Sequence, residues 1–238
     1  MTDNTLQGYL SQFGEVEAKP LSRFQQVVAR RLSQSWTEVP HVTHNDDIDV
    51  TTLEEHRAAL AEAGMKVTPL AFVAKALAIA FDDFPQFNAS LGEDKKTLLL
   101  KSCRNVGIAV DTPAGLLVPV LRDVAARTVA DLADEIRNLS VQARDKGLPM
   151  DMMEGGSMTI SSLGGIGGTG FTPIVNQPEV AILGITQTVV KPVWDGAAFL
   201  PRKMMPVSLS YDHRVINGAD AARFVRRLSQ ILERPQDI

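Results

Sequence analysis

The chain has 238 residues and a formal net charge of −4, with 45% hydrophobic and 22% charged residues. This composition is ordinary for a globular enzyme with a substantial core, and without a long basic segment it argues against binding to nucleic acid or an anionic membrane. No segment approaches the roughly 20 apolar residues that span a bilayer, and the first residues do not resemble a secretory signal. The single cysteine, Cys103, excludes an internal disulfide and fits a cytoplasmic location.

The first third of the chain is predicted to be mainly helical. Residues 1–18 are polar and acidic and are expected to form a linker or an N-terminal arm, with one domain over residues 19–238. Apolar periodicity predicts, in chain order, a helix over residues 20–36, a strand over 41–50, and helices over 51–64 and 67–85. Thr51 and Glu54 have the spacing of a capping box, and Pro69 suits the first turn of its helix.

The rest of the chain is richer in strands. The pattern predicts strands over residues 96–102, 105–112 and 115–122, a helix over 128–147, strands over 157–163, 179–186, 189–195 and 199–211, and a last helix over 218–233. Because several strands follow one another directly, we expect a mixed β-sheet in an α/β sandwich, not a strictly parallel sheet.

A polar cluster separates the last predicted strand from the last helix and reads Tyr-Asp-His-Arg-Val-Ile-Asn-Gly-Ala-Asp. A histidine at such a junction can project into a pocket while the scaffold fixes its ring, which makes His213 a candidate general base. The alternative is that Asn217 only caps the last helix and that His213 is a junction residue with satisfied hydrogen bonds.

A glycine-rich segment follows the strand predicted over residues 157–163. Gly165–Gly170 matches the dinucleotide fingerprint G-x-G-x-x-G, but residues 171–178 contain two prolines and no helical period. The fingerprint requires a helix at this point, so the pattern disfavours a dinucleotide site. Ser161 and Ser162 stand at the mouth of the loop, where their hydroxyls can cap a turn or donate a hydrogen bond to a substrate.

Two other groups of reactive residues deserve less weight. His41 and His44 lie near two aspartates, but residues three apart on a strand point to opposite faces, so we expect no metal site there. Cys103 has no histidine near it in sequence, which favours a semi-buried strand residue over a nucleophile.

The polar cluster around His213 resembles the D-H-R-x-x-D/N-G signature of the dihydrolipoyl acyltransferase catalytic domains of 2-oxoacid dehydrogenase complexes. Chloramphenicol acetyltransferase shares a shorter form of this signature. The resemblance covers about residues 18–234, because PLSRFQQVVARRLSQSW, VGIAVDTPAGLLVPVLRD, MTISSLGGIGG and FTPIVNQPEVAILGI follow in the family order. The pattern is most similar to the acetyltransferase branch in bacterial pyruvate dehydrogenase complexes.

The resemblance implies a chloramphenicol acetyltransferase-like two-layer sandwich with a mixed β-sheet, assembled as a trimer. It also implies transfer of an acetyl group between dihydrolipoamide and coenzyme A. His213 would remove the proton from the attacking thiol, which is mostly protonated at neutral pH. Ser161 aligns with the serine that stabilises the oxyanion. No acyl-enzyme is needed, because the attacking thiol belongs to the substrate.

The resemblance also implies catalytic or binding roles for three further residues. Asn217 stands where most members have aspartate. It can orient the histidine or another partner by hydrogen bonds and can also cap the helix, but it cannot neutralise an imidazolium. Asp111 matches a position that contacts coenzyme A, although capping of a turn remains an alternative. Ser162 is assigned with Asp111 to cofactor binding, and we expect no metal.

The resemblance also implies partners. The active site of the family lies between subunits of a homotrimer, with the histidine from one chain and the serine from its neighbour, and in many members trimers assemble into a 24-mer or larger core. Expected partners are lipoyl domains, a decarboxylase and dihydrolipoamide dehydrogenase. We find no lipoyl or subunit-binding domain before residue 18, so lipoyl groups are expected from a separate domain or protein.

Three alternatives remain open. The first is a succinyl- or branched-chain acyltransferase of the same family, whose catalytic end has the same motifs. The second is an acyltransferase of the same fold that acts on a small hydroxyl or amine acceptor. The third is a non-catalytic scaffold core, against which the intact His213 argues.

Overall fold

The computed structural model describes residues 5–238, which form six α-helices and eleven β-strands. The helices are α1 (Leu6–Leu10), α2 (Arg23–Glu38), α3 (Thr51–Glu62), α4 (Pro69–Asp83), α5 (Val129–Lys146) and α6 (Gly218–Leu232). The strands are β1 (His41–Asp49), β2 (Ala89–Leu91), β3 (Leu98–Leu100), β4 (Val106–Ile108), β5 (Val110–Thr112), β6 (Gly115–Leu117), β7 (Val120–Leu121), β8 (Met158–Ser162), β9 (Ala181–Ile185), β10 (Val189–Trp194) and β11 (Phe199–Asp212).

The main sheet has seven strands. Six of them lie in the order β1-β11-β9-β8-β4-β7, and β10 also pairs with β11. Three central strands, β4, β8 and β9, run parallel. β11 is antiparallel to each of its neighbours β1, β9 and β10, and β7 is antiparallel to β4. The predicted mixed sheet is therefore confirmed. β2–β3 and β5–β6 form separate two-stranded ribbons.

Helices form the second layer. α4 contacts both α5 and α6, and α6 contacts β1 and β11. Phe87 stacks on Phe224 of α6 with ring centroids 4.0 Å apart, and burying each such ring contributes about 1.5–3 kcal/mol. Phe224, Val225, Leu228 and Ile231 are buried and form the inward face of the last helix. None of these helices of the described chain is both long enough and apolar enough to cross a membrane.

The start of α3 differs from the prediction. Val50 is the N-cap and offers no side-chain hydrogen bond, so the predicted capping box is wrong. The hydroxyl of Thr51 instead donates to Asp49 Oδ1 at 2.6 Å and accepts from the Lys203 amide of β11 at 2.9 Å. Glu54 pairs with the Arg57 guanidinium. Contacts with the neighbouring strand thus replace the local cap.

The two strands predicted over residues 105–112 and 115–122 are each broken into two. β4 and β7 belong to the main sheet, whereas β5 and β6 form the ribbon. At the break the Ala109 amide donates to Ile160 O of β8 at 2.8 Å, and Pro119 has no amide proton to continue a ladder. The ribbon therefore projects beyond the end of β4.

The apolar residues of α2 are unusually exposed. Ser22 and Gln25 form a capping box at its start, and Ser35 is its only buried residue. Val27, Leu32 and Trp36 are 39%, 43% and 64% exposed although they follow helical spacing. Apolar faces of this kind commonly mark an interaction surface.

Candidate functional site

His213 follows the last residue of β11 and lies in a tightly held turn. The carboxylate of Asp212 is buried and accepts from the Arg214 amide at 2.9 Å and from the Arg214 guanidinium at 2.6 Å. The His213 amide donates to Pro40 O at 3.1 Å. The backbone on both sides of the histidine is therefore fixed, and the pair is held by strong charge-assisted hydrogen bonds.

The side chain of His213 is exposed. It lies tilted against Tyr211, with ring centroids 6.0 Å apart. Among residues 5–238, no side chain or backbone group hydrogen-bonds its ring nitrogens. The ring nitrogens are therefore open to an incoming group, and the role of His213 as general base stays a prediction.

Asn217 is the N-cap of α6, as the sequence predicts. Its Oδ1 accepts from the Asp220 amide at 2.9 Å, and its Nδ2 donates to Asp220 Oδ2 at 2.7 Å. Within the described part of the chain it makes no hydrogen bond to His213. Its capping role is confirmed, and its role in catalysis stays a prediction.

The two serines of β8 have different surroundings. Ser162 accepts a hydrogen bond from the Gly164 amide at 3.3 Å, which is the turn contact that the sequence allows. Ser161 is half-buried and lines a cavity of about 660 Å³, and its hydroxyl has no hydrogen-bond partner in the described chain. Residues 163–180 form a loop with no helix, so the Gly165–Gly170 fingerprint lacks the element that a dinucleotide requires.

Asp111 lies exposed on β5, in the ribbon. The turn beside it is closed by Thr112, whose hydroxyl donates to Gly115 O at 2.6 Å. The Asp111 carboxylate has no hydrogen-bond partner within residues 5–238, so the turn-capping alternative is wrong for this residue. The carboxylate is available to a ligand.

The predicted site residues fall into two groups at opposite ends of the strands of the main sheet, which we call the His213 edge and the Ser161 edge. Ser161 pairs with Gly184, which pairs with Ser208 of β11. His213 lies five residues beyond Ser208, about 16 Å along the strand and two strands away. Asp111 continues beyond β4, which is parallel to β8, so it shares the edge of Ser161. Within one chain, the histidine and the serine cannot meet at one reacting carbonyl.

The remaining candidates have structural roles or none. His41 Nδ1 lies 2.8 Å from Val39 O, and its Nε2 accepts from the Val175 amide at 3.0 Å. No three potential metal ligands cluster within the described residues. Cys103 is exposed and lies outside any strand, so its predicted position in a semi-buried strand is wrong.

A buried carboxyl in the Ser161 cavity was not predicted. Glu179 is only 5% exposed, and Thr159 donates a hydrogen bond to it at 2.7 Å. Burial raises the pKa of Glu179 to about 7. In the sequence it is the first residue of the strand predicted over residues 179–186, a position where charged residues are usually solvated, so the pattern gave no reason to expect its burial.

Family comparison agrees with this geometry. Residues 13–238 match the family described as 2-oxoacid dehydrogenases acyltransferase (catalytic domain). The chain belongs to this family. It is 54% identical over 226 residues to the dihydrolipoyllysine-residue acetyltransferase component of the pyruvate dehydrogenase complex of Pseudomonas aeruginosa, covering 93% of this chain and 41% of that protein. The chain thus spans about two fifths of that relative's length.

Solved structures support the same membership. The dihydrolipoamide acetyltransferase of Azotobacter vinelandii, in which a serine, a histidine and an asparagine were studied for their role in the catalytic mechanism, has a TM-score of 0.91 and 50% identity over 94% of both chains. The cubic core of a pyruvate dehydrogenase multienzyme complex gives the same values. A chloramphenicol acetyltransferase, at 13% identity and a TM-score of 0.58 over 90% of this chain and 100% of that one, shares the fold. The predicted sandwich is confirmed.

Proposed function

We propose that residues 19–238 are the catalytic domain of an acetyltransferase that moves an acetyl group between dihydrolipoamide and coenzyme A, with the first 18 residues as a linker or arm. One observation carries the proposal. The serine, the histidine and the asparagine studied in the Azotobacter vinelandii protein are separated by the same two intervals as Ser161, His213 and Asn217.

The chemistry suits the surroundings of each residue. His213 has a free ring on a fixed turn, and it would take the proton from the attacking thiol as the sulfur reaches the thioester carbonyl. The tetrahedral oxyanion that forms needs a hydrogen-bond donor, and the Ser161 hydroxyl is uncommitted in its cavity. Asn217 would keep the start of α6 in place beside the base.

The site would be completed by a second copy of the chain. His213 and Ser161 lie at opposite ends of the strands, so a histidine from one subunit would meet the serine of its neighbour in a homotrimer. The exposed apolar face of α2 and the β10–β11 hairpin, where Val190 and Phe199 are 66% and 68% exposed, provide surfaces for such an assembly. An isolated chain would be inactive.

Substrates and partners follow from the same reasoning. Asp111 and Ser162 lie at the Ser161 edge, where they would contact coenzyme A, and a separate lipoyl domain would present the lipoyl group. The cubic core among the similar structures supports trimers that assemble into a 24-mer. We place that core in a cytoplasmic pyruvate dehydrogenase complex, with the decarboxylase and dihydrolipoamide dehydrogenase as partners.

Acetyl-CoA and dihydrolipoamide test this function directly. We expect the protein to release free coenzyme A and form acetyl-dihydrolipoamide, both measured by chromatography, with the rate proportional to enzyme. Succinyl-CoA and isobutyryl-CoA assayed in parallel distinguish the acetyl preference from the succinyl- and branched-chain alternatives. A panel of small hydroxyl and amine acceptors under the same conditions tests the second alternative. If neither dihydrolipoamide nor any of these acceptors is acylated while the protein is trimeric, the scaffold alternative is correct.

A further inference from the structure

Glu179 places an ionisable carboxyl beside the serine of the proposed site. Its two carboxylate oxygens lie 2.7 and 2.9 Å from the Thr159 hydroxyl, which donates to them, and Asn176 Nδ2 donates at 3.4 Å. Thr159 and Ser161 are two residues apart on β8, so their side chains share one face about 7 Å apart. Both residues and Glu179 line the same cavity.

The backbone leaves room for this carboxyl. A Cβ atom at Gly156 would lie 2.7 Å from Glu179 Oε1, closer than a Cβ atom comes to any atom it is not bonded to. The Gly156 carbonyl in turn accepts a hydrogen bond from Lys101 Nζ at 3.0 Å. Glycine at this position thus allows the carboxyl and the ammonium to share one wall of the cavity.

The charges around Glu179 are only partly balanced. Lys101 attracts it but forms no salt bridge with it, and the other charged or titratable groups lining the cavity are Arg31, Cys103 and Glu154. Burial raises the pKa of Glu179 to about 7, and burial also lowers the pKa of Lys101. Near neutral pH the wall therefore changes from a net positive charge to a balanced pair.

We propose that Glu179 is a positioning residue that sets the charge of the Ser161 cavity, and that its protonated form is the one that supports acyl transfer. The inference rests on the proposed function, because it concerns the oxyanion that would form at Ser161. A carboxylate about 7–10 Å from that oxyanion disfavours it. The neutral carboxyl leaves the positive charge of Lys101 to stabilise it.

The proposal predicts that kcat decreases at alkaline pH because a group of the enzyme ionises, and not only because the substrate thiols do. As pH rises, Glu179 ionises and the oxyanion loses electrostatic stabilisation. We expect kcat to decrease about tenfold between about pH 6.5 and pH 9 from this ionisation.

The test compares kcat against pH, at saturating acetyl-CoA and dihydrolipoamide, for the wild type, Glu179→Gln and Glu154→Gln. Glu154 is an exposed carboxylate in the same cavity wall and is the matched control. We expect the alkaline decrease in the wild type and in Glu154→Gln and its disappearance in Glu179→Gln. Ionisation of the substrate thiols affects all three proteins equally. An unchanged decrease in Glu179→Gln overturns the inference.

A second variant keeps the test independent of the stability of Glu179→Gln. Thr159→Val removes the hydroxyl that favours the ionised carboxyl, so it raises the pKa of Glu179 further and should move the alkaline decrease upward by about one pH unit. A decrease at the wild-type pH overturns the inference. If the wild type itself transfers no acetyl group, the proposed function fails as well. An active wild type with unshifted variants rejects only the role of Glu179.

Discussion

The two edges of the main sheet are built in different ways. At the His213 edge, the side chains of the turn bond to near neighbours in sequence, as Asp212 does to Arg214, and the His213 amide adds one bond to the distant Pro40 O. At the Ser161 edge, the cavity is assembled from distant segments, with Glu179 bonded to Thr159 and Lys101 to Gly156. The first edge therefore forms a contiguous motif in the sequence, and the second does not.

The electrostatic surroundings differ as well. The histidine ring is in solvent, whereas Ser161 shares its cavity with a carboxyl that is only 5% exposed. Charges act more strongly in a poorly solvated cavity than at an exposed ring. We therefore expect the His213 edge to supply the proton acceptor and the Ser161 edge to supply most of the electrostatic stabilisation. The following predictions test this division.

His213→Ala has the largest expected effect. Removing the base should lower kcat by about 10²–10⁴-fold while the protein stays trimeric, because the ring makes no hydrogen bond that holds the fold. Acetyl transfer and the oligomeric state in solution are the measurements. His56→Gln, a change of the same residue type on α3, should retain the wild-type rate. Wild-type turnover in His213→Ala would exclude this residue as the base.

Ser161→Ala comes next. Loss of one oxyanion donor should reduce kcat by about 10²–10³-fold with little change in the KM for either substrate. Ser162→Ala provides the comparison, because it removes a hydroxyl one residue away that is already bonded to the Gly164 amide. We expect its effect on kcat to be much smaller. Equal losses in both variants would mean that the end of β8 as a whole, not one hydroxyl, supports the reaction.

Mixing the two inactive variants tests whether the edges meet across subunits. Equal amounts of His213→Ala and Ser161→Ala would be co-expressed as mixed trimers. A site is intact when the Ser161→Ala chain supplies its histidine and the neighbouring His213→Ala chain supplies its serine. That occurs in about one quarter of sites, so activity should recover to about one quarter of the wild type. Co-expression that gives no more activity than either variant alone would place both residues of each site in one chain.

Much of the fold was predictable from the sequence. Thr68 and Asn217 are the N-caps of α4 and α6, because their side chains accept hydrogen bonds from amides of the first turn. Pro69 suits the first position of α4 because it has no amide proton to leave unpaired. The predictions failed where a distant segment intervened. The Thr51 hydroxyl accepts a hydrogen bond from the Lys203 amide of β11, and the ribbon leaves the sheet at Ala109. Such long-range contacts do not alter the hydrophobic periodicity of the sequence, so they could not be predicted from it.

The candidate site divides in the same way. The motif around His213 and the serines of β8 could be identified from the sequence. The strand register then shows that His213 and Ser161 lie at opposite ends of the strands. Glu179 was not visible, because its burial depends on packing against Thr159 and Gly156 from another part of the chain. Only the folded arrangement reveals a carboxyl whose pKa is raised to about 7.

Asp111→Asn should have the smallest effect and should be confined to one substrate. Asp111 is exposed and unpaired among the described residues, so its carboxylate would contact coenzyme A in partly solvated surroundings, where one hydrogen bond contributes about 1 kcal/mol. We expect the KM for acetyl-CoA to rise about fivefold, with kcat and the KM for dihydrolipoamide unchanged. Asp145→Asn, at an exposed aspartate of α5, is the control. A raised KM for dihydrolipoamide instead would place the lipoyl arm, not coenzyme A, at the Ser161 edge, because Asp111 and Ser161 share that end of the parallel strands.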